Sequence, residues 1–277
     1  MHIDLEGRVA IVTGAGRGIG RDLVRRLAAE GVRTVALDIN EADLAALGEE
    51  LGGQHAPSLQ PHVPSLQLRC DVTDSAGLRA VVDQVTADLG RIDILVNNAG
   101  ITATAPIDTL PEEAWRRCYD VNVTGTFLAC QAVIPTMKAQ HSGRIINASS
   151  FAAIVPSVAH AAYASAKAAV AHFSRALAGE LGPWDITVNA YAPGMIPTTL
   201  NRFTERAQAE QDLLLDTLTL RRWGSSEDIG NLICFLASDQ AAYITGTLID
   251  ISGGKLATQV PRVAYDYASS ADASAII

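Results

Sequence analysis

Short runs of consecutive apolar, often β-branched residues alternate along the chain with longer stretches in which apolar positions recur every three or four residues. The short runs are Arg8–Thr13, Thr34–Asp38, Leu66–Cys70, Ile92–Val96, Gly143–Ala148, Thr187–Ala192 and Thr247–Ile251. A strand apolar at every position is buried on both faces, as in a parallel sheet covered by helices. The longer stretches predict helices. One opens at the glycine-rich turn with Ile19, Leu23 and Leu27 on one face, and others cover Glu41–Leu51, Ser75–Leu89, Pro111–Met137, Ala161–Leu181 and Ser226–Ala237. Thr199–Leu220 mixes charge with the run LLLDTLTL and predicts a helical lid. Strand and helix alternate throughout with no break in composition. The expectation is therefore α/β: one doubly wound parallel sheet of about seven strands with helices on both faces, in a single domain over residues 1–254.

Two segments depart from the alternation. His55–Gln60 (HAPSLQ) is nearly repeated as His62–Gln67 (HVPSLQ), which predicts a surface loop lengthened by one unit. The tail, residues 255–277, ends in the small and polar ASSADASAII, and its middle reads VPRVAYDY. It is expected to be disordered or to dock on a neighbouring subunit.

Composition narrows the function classes. Of 277 residues, 48 % are apolar, enough for a sizeable core, and no apolar run is long enough to span a bilayer. A net charge of −9 argues against nucleic acid or an anionic membrane as partner. The first residues carry acids where a signal peptide would carry bases, so a cytoplasmic protein is expected. Cys70, Cys118, Cys130 and Cys234 are scattered singly and read as buried thiols, and neither they nor the six histidines form a metal pattern.

The first run feeds directly into Gly14-Ala15-Gly16-Arg17-Gly18-Ile19-Gly20. Strand, glycine turn and helix together offer backbone N–H groups and a helix N-terminus to a pyrophosphate, the Rossmann-type arrangement. The second run ends on Asp38, followed by Ile39. An acid there accepts hydrogen bonds from ribose hydroxyls and repels a 2′-phosphate, which favours NAD over NADP. Arg17 pulls the other way, because it could reach a phosphate. Asp71 and Val72, at the end of the third run, are placed to meet an adenine, although a helix-cap role for this segment is an alternative. Asn98, Ala99 and Gly100 end the fourth run and leave room for a ligand in the crevice.

Tyr163 and Lys167 lie four residues apart on one predicted helix face, where a fixed ammonium would favour the phenolate and lower the tyrosine pKa. Such a phenol could exchange a proton with an alcohol while a cofactor handles the hydride. Ser150, thirteen residues before Tyr163, follows the fifth run and could donate to a substrate oxygen. Asn122 falls in the middle of the long helix, where its backbone could open to hold a water. Pro193-Gly194-Met195-Ile196-Pro197-Thr198 follows the sixth run, with Thr198 placed to meet a carboxamide.

Taken together, TGAGRGIG from Thr13, NNAG from Asn97, Asn122, Ser150, Tyr163-x-x-x-Lys167 and PGMIPT from Pro193 resemble the short-chain dehydrogenase/reductase family in its single-domain branch. The likeness runs from about Leu5 to Gly254. It implies Tyr163 as general acid/base, Ser150 as the group that polarises the substrate oxygen, Lys167 as the holder of the nicotinamide ribose, and Asn122 as the anchor of a relay water. It implies NAD held by the glycine turn, Asp38, Ile39, Asp71, Val72, Asn98, Ala99, Gly100, Val121, Tyr163, Lys167, Pro193, Gly194, Ile196 and Thr198. The activity implied is reversible NAD(H)-dependent oxidation of a secondary alcohol to a ketone, in a homo-oligomer, with a tetramer favoured. The alternatives are an NADPH-dependent ketoreductase, including one acting on acyl thioesters, and a non-catalytic NAD-binding sensor. Candidate substrate contacts besides Ser150 and Tyr163 are Thr102, Phe151, Ala152, Val155, His160, Met195 and Leu200, a mainly apolar set that favours a small, moderately hydrophobic alcohol or ketone.

Overall fold

The structure, a computed structural model, describes residues 3–52, 65–198 and 203–269. Most of the His55–Gln67 repeat, Thr199 and Leu200 of the expected lid and pocket, and the end of the tail lie outside the described residues.

Seven strands form one parallel sheet: β1 (Val9–Thr13), β2 (Arg33–Asp38), β3 (Leu66–Arg69), β4 (Ile94–Asn97), β5 (Gly143–Ala148), β6 (Ile186–Pro193) and β7 (Leu248–Ile251). Their order is β3-β2-β1-β4-β5-β6-β7. The chain winds outward to β3 and then returns past β1, so the direction of winding reverses between β1 and β4. At such a switch point the loops leaving two strands diverge and open a crevice at the strand carboxyl ends. Every residue of β1, β4 and β5 is buried, as uninterrupted apolar runs require.

Helices cover both faces. On one face, α1 (Gly18–Ala29), α2 (Glu41–Gly52) and α8 (Ser226–Ala237) bury Leu23, Leu27, Leu47, Ile229 and Ile233 against the sheet. On the other, α3 (Ser75–Leu89), α5 (Gly125–Gln140) and α6 (Ala161–Leu181) bury Val81, Val85, Val133, Met137 and Leu177. Each such side chain contributes about 1.5–3 kcal/mol through burial. Local signals fix several boundaries. The Asp74 carboxylate caps α3 by accepting from the Ala76 N–H, Gly90 ends that helix in a left-handed turn, and Ser225 with Asp228 forms a reciprocal cap on α8.

The long helix expected over Pro111–Met137 is two helices. α4 (Glu112–Tyr119) and α5 are joined by a wider π turn at Asp120–Thr124, and Asn122 lies inside it. An α-helical period in the sequence does not show where one extra residue is accommodated. In the segment expected as a lid, α7 (Gln208–Leu215) is followed by a return of the chain toward β7, where Leu218 pairs with Lys255 in an antiparallel bridge.

The described part of the tail packs against its own chain. The Leu256 N–H donates to the Thr217 carbonyl at 2.9 Å. A short helix, α9 (Arg262–Ser269), brings the Tyr265 hydroxyl to the Thr219 carbonyl at 2.8 Å. Arg221 stands over the Tyr265 ring, 6.0 Å from its centroid.

Candidate active site

A cavity of about 440 Å³ lies at the carboxyl ends of the strands, and its walls run from Asp38 and Ile39 to Ser150, Tyr163 and Lys167. One end is built from the β1 turn. Gly14 has φ +64°, and a Cβ there would lie 2.7 Å from the Ala99 Cα, so only glycine lets the two strand ends approach this closely. The Thr13 hydroxyl accepts from the Asn98 and Ala99 N–H groups at 3.1 Å each, which locks β1 to β4. Asn98 turns its amide back to the carbonyls of Thr13 and Gly14, at 3.2 and 3.0 Å. It braces the turn as well as standing on the wall.

Arg17 precedes α1 without a side-chain cap, leaving the first-turn N–H groups of that helix free for an anion. The Asp38 carboxylate is held in place: one oxygen accepts from the Gly16 N–H at 2.9 Å and the other from the Asn40 N–H at 3.0 Å. Asp71 accepts from the Thr73 N–H and hydroxyl at 2.9 and 2.7 Å, and Arg117 of α4 stands 3.9 Å from its carboxylate.

The other end carries the proton chemistry. Ser150 follows β5, and its hydroxyl oxygen accepts from the Ala152 N–H at 3.1 Å, so its own proton is left to donate. Tyr163 and Lys167 rise from one face of α6, with the Lys167 Nζ 5.7 Å from the Tyr163 ring centroid. The ammonium donates to the Ala148 carbonyl at 2.8 Å and is almost fully buried. Burial lowers its pKa to about 8.

One expectation is corrected here. Burial pushes the Tyr163 phenol above its ordinary pKa, with the hydrogen bond to Ser150 opposing that rise. Lys167 is not among the groups that lower it in this state, and taking the phenol out of water outweighs the hydrogen bond to Ser150.

Asn122 is fully buried in the π turn, its amide N–H groups donating to the Ile101 and Cys118 carbonyls at 2.8 Å each. Its Oδ1 has no hydrogen-bond partner among the described residues. A Cβ on Gly100 would lie 2.7 Å from that oxygen and 3.2 Å from the Lys167 Nζ, so both atoms face one small space beside Gly100.

Of the expected cofactor contacts, Gly14, Arg17, Gly18, Ile19, Asp38, Ile39, Asp71, Val72, Asn98, Ala99, Gly100, Val121, Pro193, Gly194, Ile196 and Thr198 line the cavity. Gly20 does not. It lies under the turn, where a Cβ would collide with the Gly14 carbonyl. Six expected substrate contacts, Thr102, Phe151, Ala152, Val155, His160 and Met195, are also absent from the cavity wall. The His160 ring is spent on the loops, with Nδ1 3.0 Å from the Val158 carbonyl and Nε2 3.3 Å from the Thr104 hydroxyl. Met195 is buried, and Val155 is exposed.

Cys70, Ile101, Arg117, Ala148, Ser149 and Tyr191 complete the wall without having been expected there as contacts. Tyr191 offers a signal in hindsight, as a phenol in an otherwise small and apolar strand end, its hydroxyl 3.5 Å from the Asn98 Oδ1. Ser149 turns its hydroxyl to the Lys167 carbonyl at 2.8 Å and so braces α6. Arg117 is brought in by folding alone.

The glycine cradle, the free N-terminus of α1, the fixed carboxylate of Asp38 and the unpartnered Asn122 Oδ1 all suit a nicotinamide dinucleotide. Similar proteins agree. The 3-oxoacyl-[acyl-carrier-protein] reductase of Thermotoga maritima is 38 % identical over 251 residues, covering 90 % of this chain and 98 % of that one. The structure of a 7α-hydroxysteroid dehydrogenase complexed with NADH and 7-oxo glycochenodeoxycholic acid superposes with a TM-score of 0.84 at 35 % identity, covering 91 % of this chain and 96 % of that one. A gluconate 5-dehydrogenase from Burkholderia cenocepacia in complex with NADP and tartrate gives 0.85 at 33 % identity, covering 93 % and 98 %. The family model for short chain dehydrogenases matches residues 8–209. This chain belongs to the short-chain dehydrogenase family and is one of its nicotinamide-dependent oxidoreductases.

Proposed function

We propose that the protein catalyses reversible NAD(H)-dependent oxidation of a secondary alcohol to a ketone. The observation that carries this reading is the meeting of Ser150, Tyr163 and Lys167 at the end of the cavity opposite Asp38. A bound nicotinamide would accept or return the hydride at the carbinol carbon. It would be held by the α1 N-terminus, Asp38, Asn98 and the Pro193–Thr198 turn. Ser150 donates its proton to the substrate oxygen and orients it. Tyr163 takes the hydroxyl proton during oxidation and returns it during reduction. With its pKa raised, the resting group is the phenol, the form that reduction uses directly. Lys167 would hold the nicotinamide ribose, and with the Asn122 Oδ1 it bounds a space in which a water can pass the proton outward. In the same reading the enzyme works in the cytoplasm as a homo-oligomer, with a tetramer favoured. An edge-to-face pair on α5 and α6, Phe127 and Phe173 at 6.4 Å, with Phe127 exposed, supports a subunit contact there.

One observation favours a second reading. Arg17 lines the cavity along with Asp38 and could meet a 2′-phosphate, which would make the enzyme an NADPH-dependent ketoreductase, with acyl thioesters among its substrates. A panel of cyclic, aliphatic, aromatic and polyol secondary alcohols with NAD and NADP, read by reduced-cofactor absorbance, separates the two. Turnover with NAD that disappears in Tyr163→Phe supports the first reading. Turnover with NADP alone replaces it with the second, and silence with both cofactors sinks the dehydrogenase assignment.

A further inference from the structure

Lys255 follows the last strand by four residues, at the same edge of the sheet as the active site. Its backbone is fixed on both sides. Its N–H donates to the Ser252 hydroxyl at 3.1 Å, it bridges Leu218, and the next N–H donates to the Thr217 carbonyl. Its side chain turns inward rather than to solvent: the ammonium stands over the Phe151 ring, 5.4 Å from the centroid. Phe151 is the buried residue directly after Ser150, and it begins the turn that Ser150 caps. β6 and β7 bring the two segments together. Pro193 pairs with Ile251, and a Cβ on Gly194 would lie only 2.6 Å from the Ser252 Cα.

Among the described residues this ammonium has no carboxylate partner and no hydrogen-bond acceptor. Its pKa is lowered, and burial is the cause. A half-buried cation without a counter-ion is costly, and the face of one phenyl ring offsets only part of that cost. A surface lysine would avoid the cost by turning outward. The cation is instead held over the ring of the residue that follows Ser150 in the chain.

We propose that Lys255 is a specificity residue of the substrate site, and that the substrate is a hydroxy acid or oxo acid whose carboxylate is separated from its carbinol or carbonyl carbon. The inference rests on the dehydrogenase reading of the Ser150–Tyr163 site and deepens it. A single ammonium balances a single negative charge, which favours a carboxylate over a phosphate.

The test measures thermal unfolding of the full chain with NADH, at constant ionic strength. The probes are butanoate, hexanoate and octanoate, each paired with its neutral amide. The acids should raise Tm by a few degrees and the amides should not. The gap should vanish in Lys255→Gln and persist in Lys255→Arg. Equal effects of acid and amide, or a gap that survives in Lys255→Gln, overturns the proposal. A lysine that only stacks on Phe151 would lower the variant's own Tm and leave the acid–amide comparison untouched.

Kinetics on matched secondary hydroxy acids and hydroxy amides separates this proposal from the reading beneath it. For the acid, KM should rise about tenfold in Lys255→Gln, while KM for the amide stays put. Turnover of neutral alcohols with no preference for the acid keeps the dehydrogenase and removes the Lys255 role. A Tm gain specific to acids with no turnover of any alcohol keeps the anion site and removes the dehydrogenase.

Discussion

The two ends of the sheet treat buried charge in opposite ways. At the amino end, Arg144 at the start of β5 is as buried as Lys167, and it is tied down by three groups. Its guanidinium donates to the Gly143 and Asp185 carbonyls at 3.0 Å each and reaches the Asp239 carboxylate at 3.5 Å. Asp93 is similarly buried there, accepting from the Val9 N–H at 2.8 Å and pairing with Arg91. At the carboxyl end, among the described residues, Lys167 has one carbonyl and no acid, and the half-buried Lys255 has neither. A buried charge with a permanent partner holds the fold, since losing that partner would leave it stranded. A buried charge without one raises the energy of the unliganded protein and is kept where a ligand or a transition state supplies the missing partner.

The largest expected effect tests whether the carboxyl end is organised for chemistry. Tyr163→Phe removes one hydroxyl and little volume, and should lower kcat about 10³-fold. Cofactor binding, followed by quenching of protein fluorescence, should persist. A variant retaining a tenth of the activity would show that the proton moves elsewhere.

The next test reads the cost of the unpaired cation directly. In the unfolded chain Lys167 titrates near 10.5, and in the fold near 8. Between these values the unfolded chain holds the extra proton, so this group makes stability rise with pH and lose that gain as pH falls toward 8. The full window corresponds to on the order of 3 kcal/mol. Lys167→Met should remove that slope, so that urea midpoints at pH 7.5 and pH 10 shift differently in the two proteins. A gap between them that ignores pH would mean the ammonium is well compensated, and the contrast with Arg144 would fail. Arg144→Met should do the reverse. It leaves the Gly143 and Asp185 carbonyls without their donor, costs about 2 kcal/mol in urea unfolding and leaves turnover unchanged.

The same contrast explains what could be seen in the sequence. The seven strands were legible because burial on both faces writes unbroken apolar runs, as in Val9–Thr13 and Gly143–Ala148. Tyr163 and Lys167 were legible because a helix converts a spacing of four into a shared face. The glycine turn could be read because it stands between a strand and a helix. What escaped depends on distances between remote segments. Arg117 meets Asp71 only through the docking of α4, and Lys255 meets Phe151 only because β7 pairs with β6. The rise in the Tyr163 pKa escaped for the same reason: a neighbour four residues away can be read from spacing, whereas desolvation belongs to the whole fold. That His160 and Met195 stand off the cavity wall could not be read, because proximity to Tyr163 and Pro193 along the chain does not say which way a side chain turns.

The smallest expected effect concerns Asp38, a carboxylate on the cavity wall that is fixed by backbone N–H groups and, among the described residues, has no cation paired with it. At the amino end an acid in that position would have an arginine; here its charge is left to act on whatever occupies the cavity. Asp38→Asn removes the charge, keeps the shape and leaves one oxygen to accept from Gly16 or Asn40. Absolute affinities would mix the loss of charge with loosening of the glycine turn, so the informative quantity is the ratio of NADP to NAD affinity. If Asp38 repels a 2′-phosphate, that ratio should rise about tenfold in the variant, equivalent to about 1.4 kcal/mol, with the gain confined to NADP. The rise should shrink at high salt, because Arg17 on the same wall attracts the phosphate through water. An unchanged ratio, or a wild-type protein that already prefers NADP, would mean that Arg17 governs cofactor choice and that the carboxylate serves only to hold Gly16.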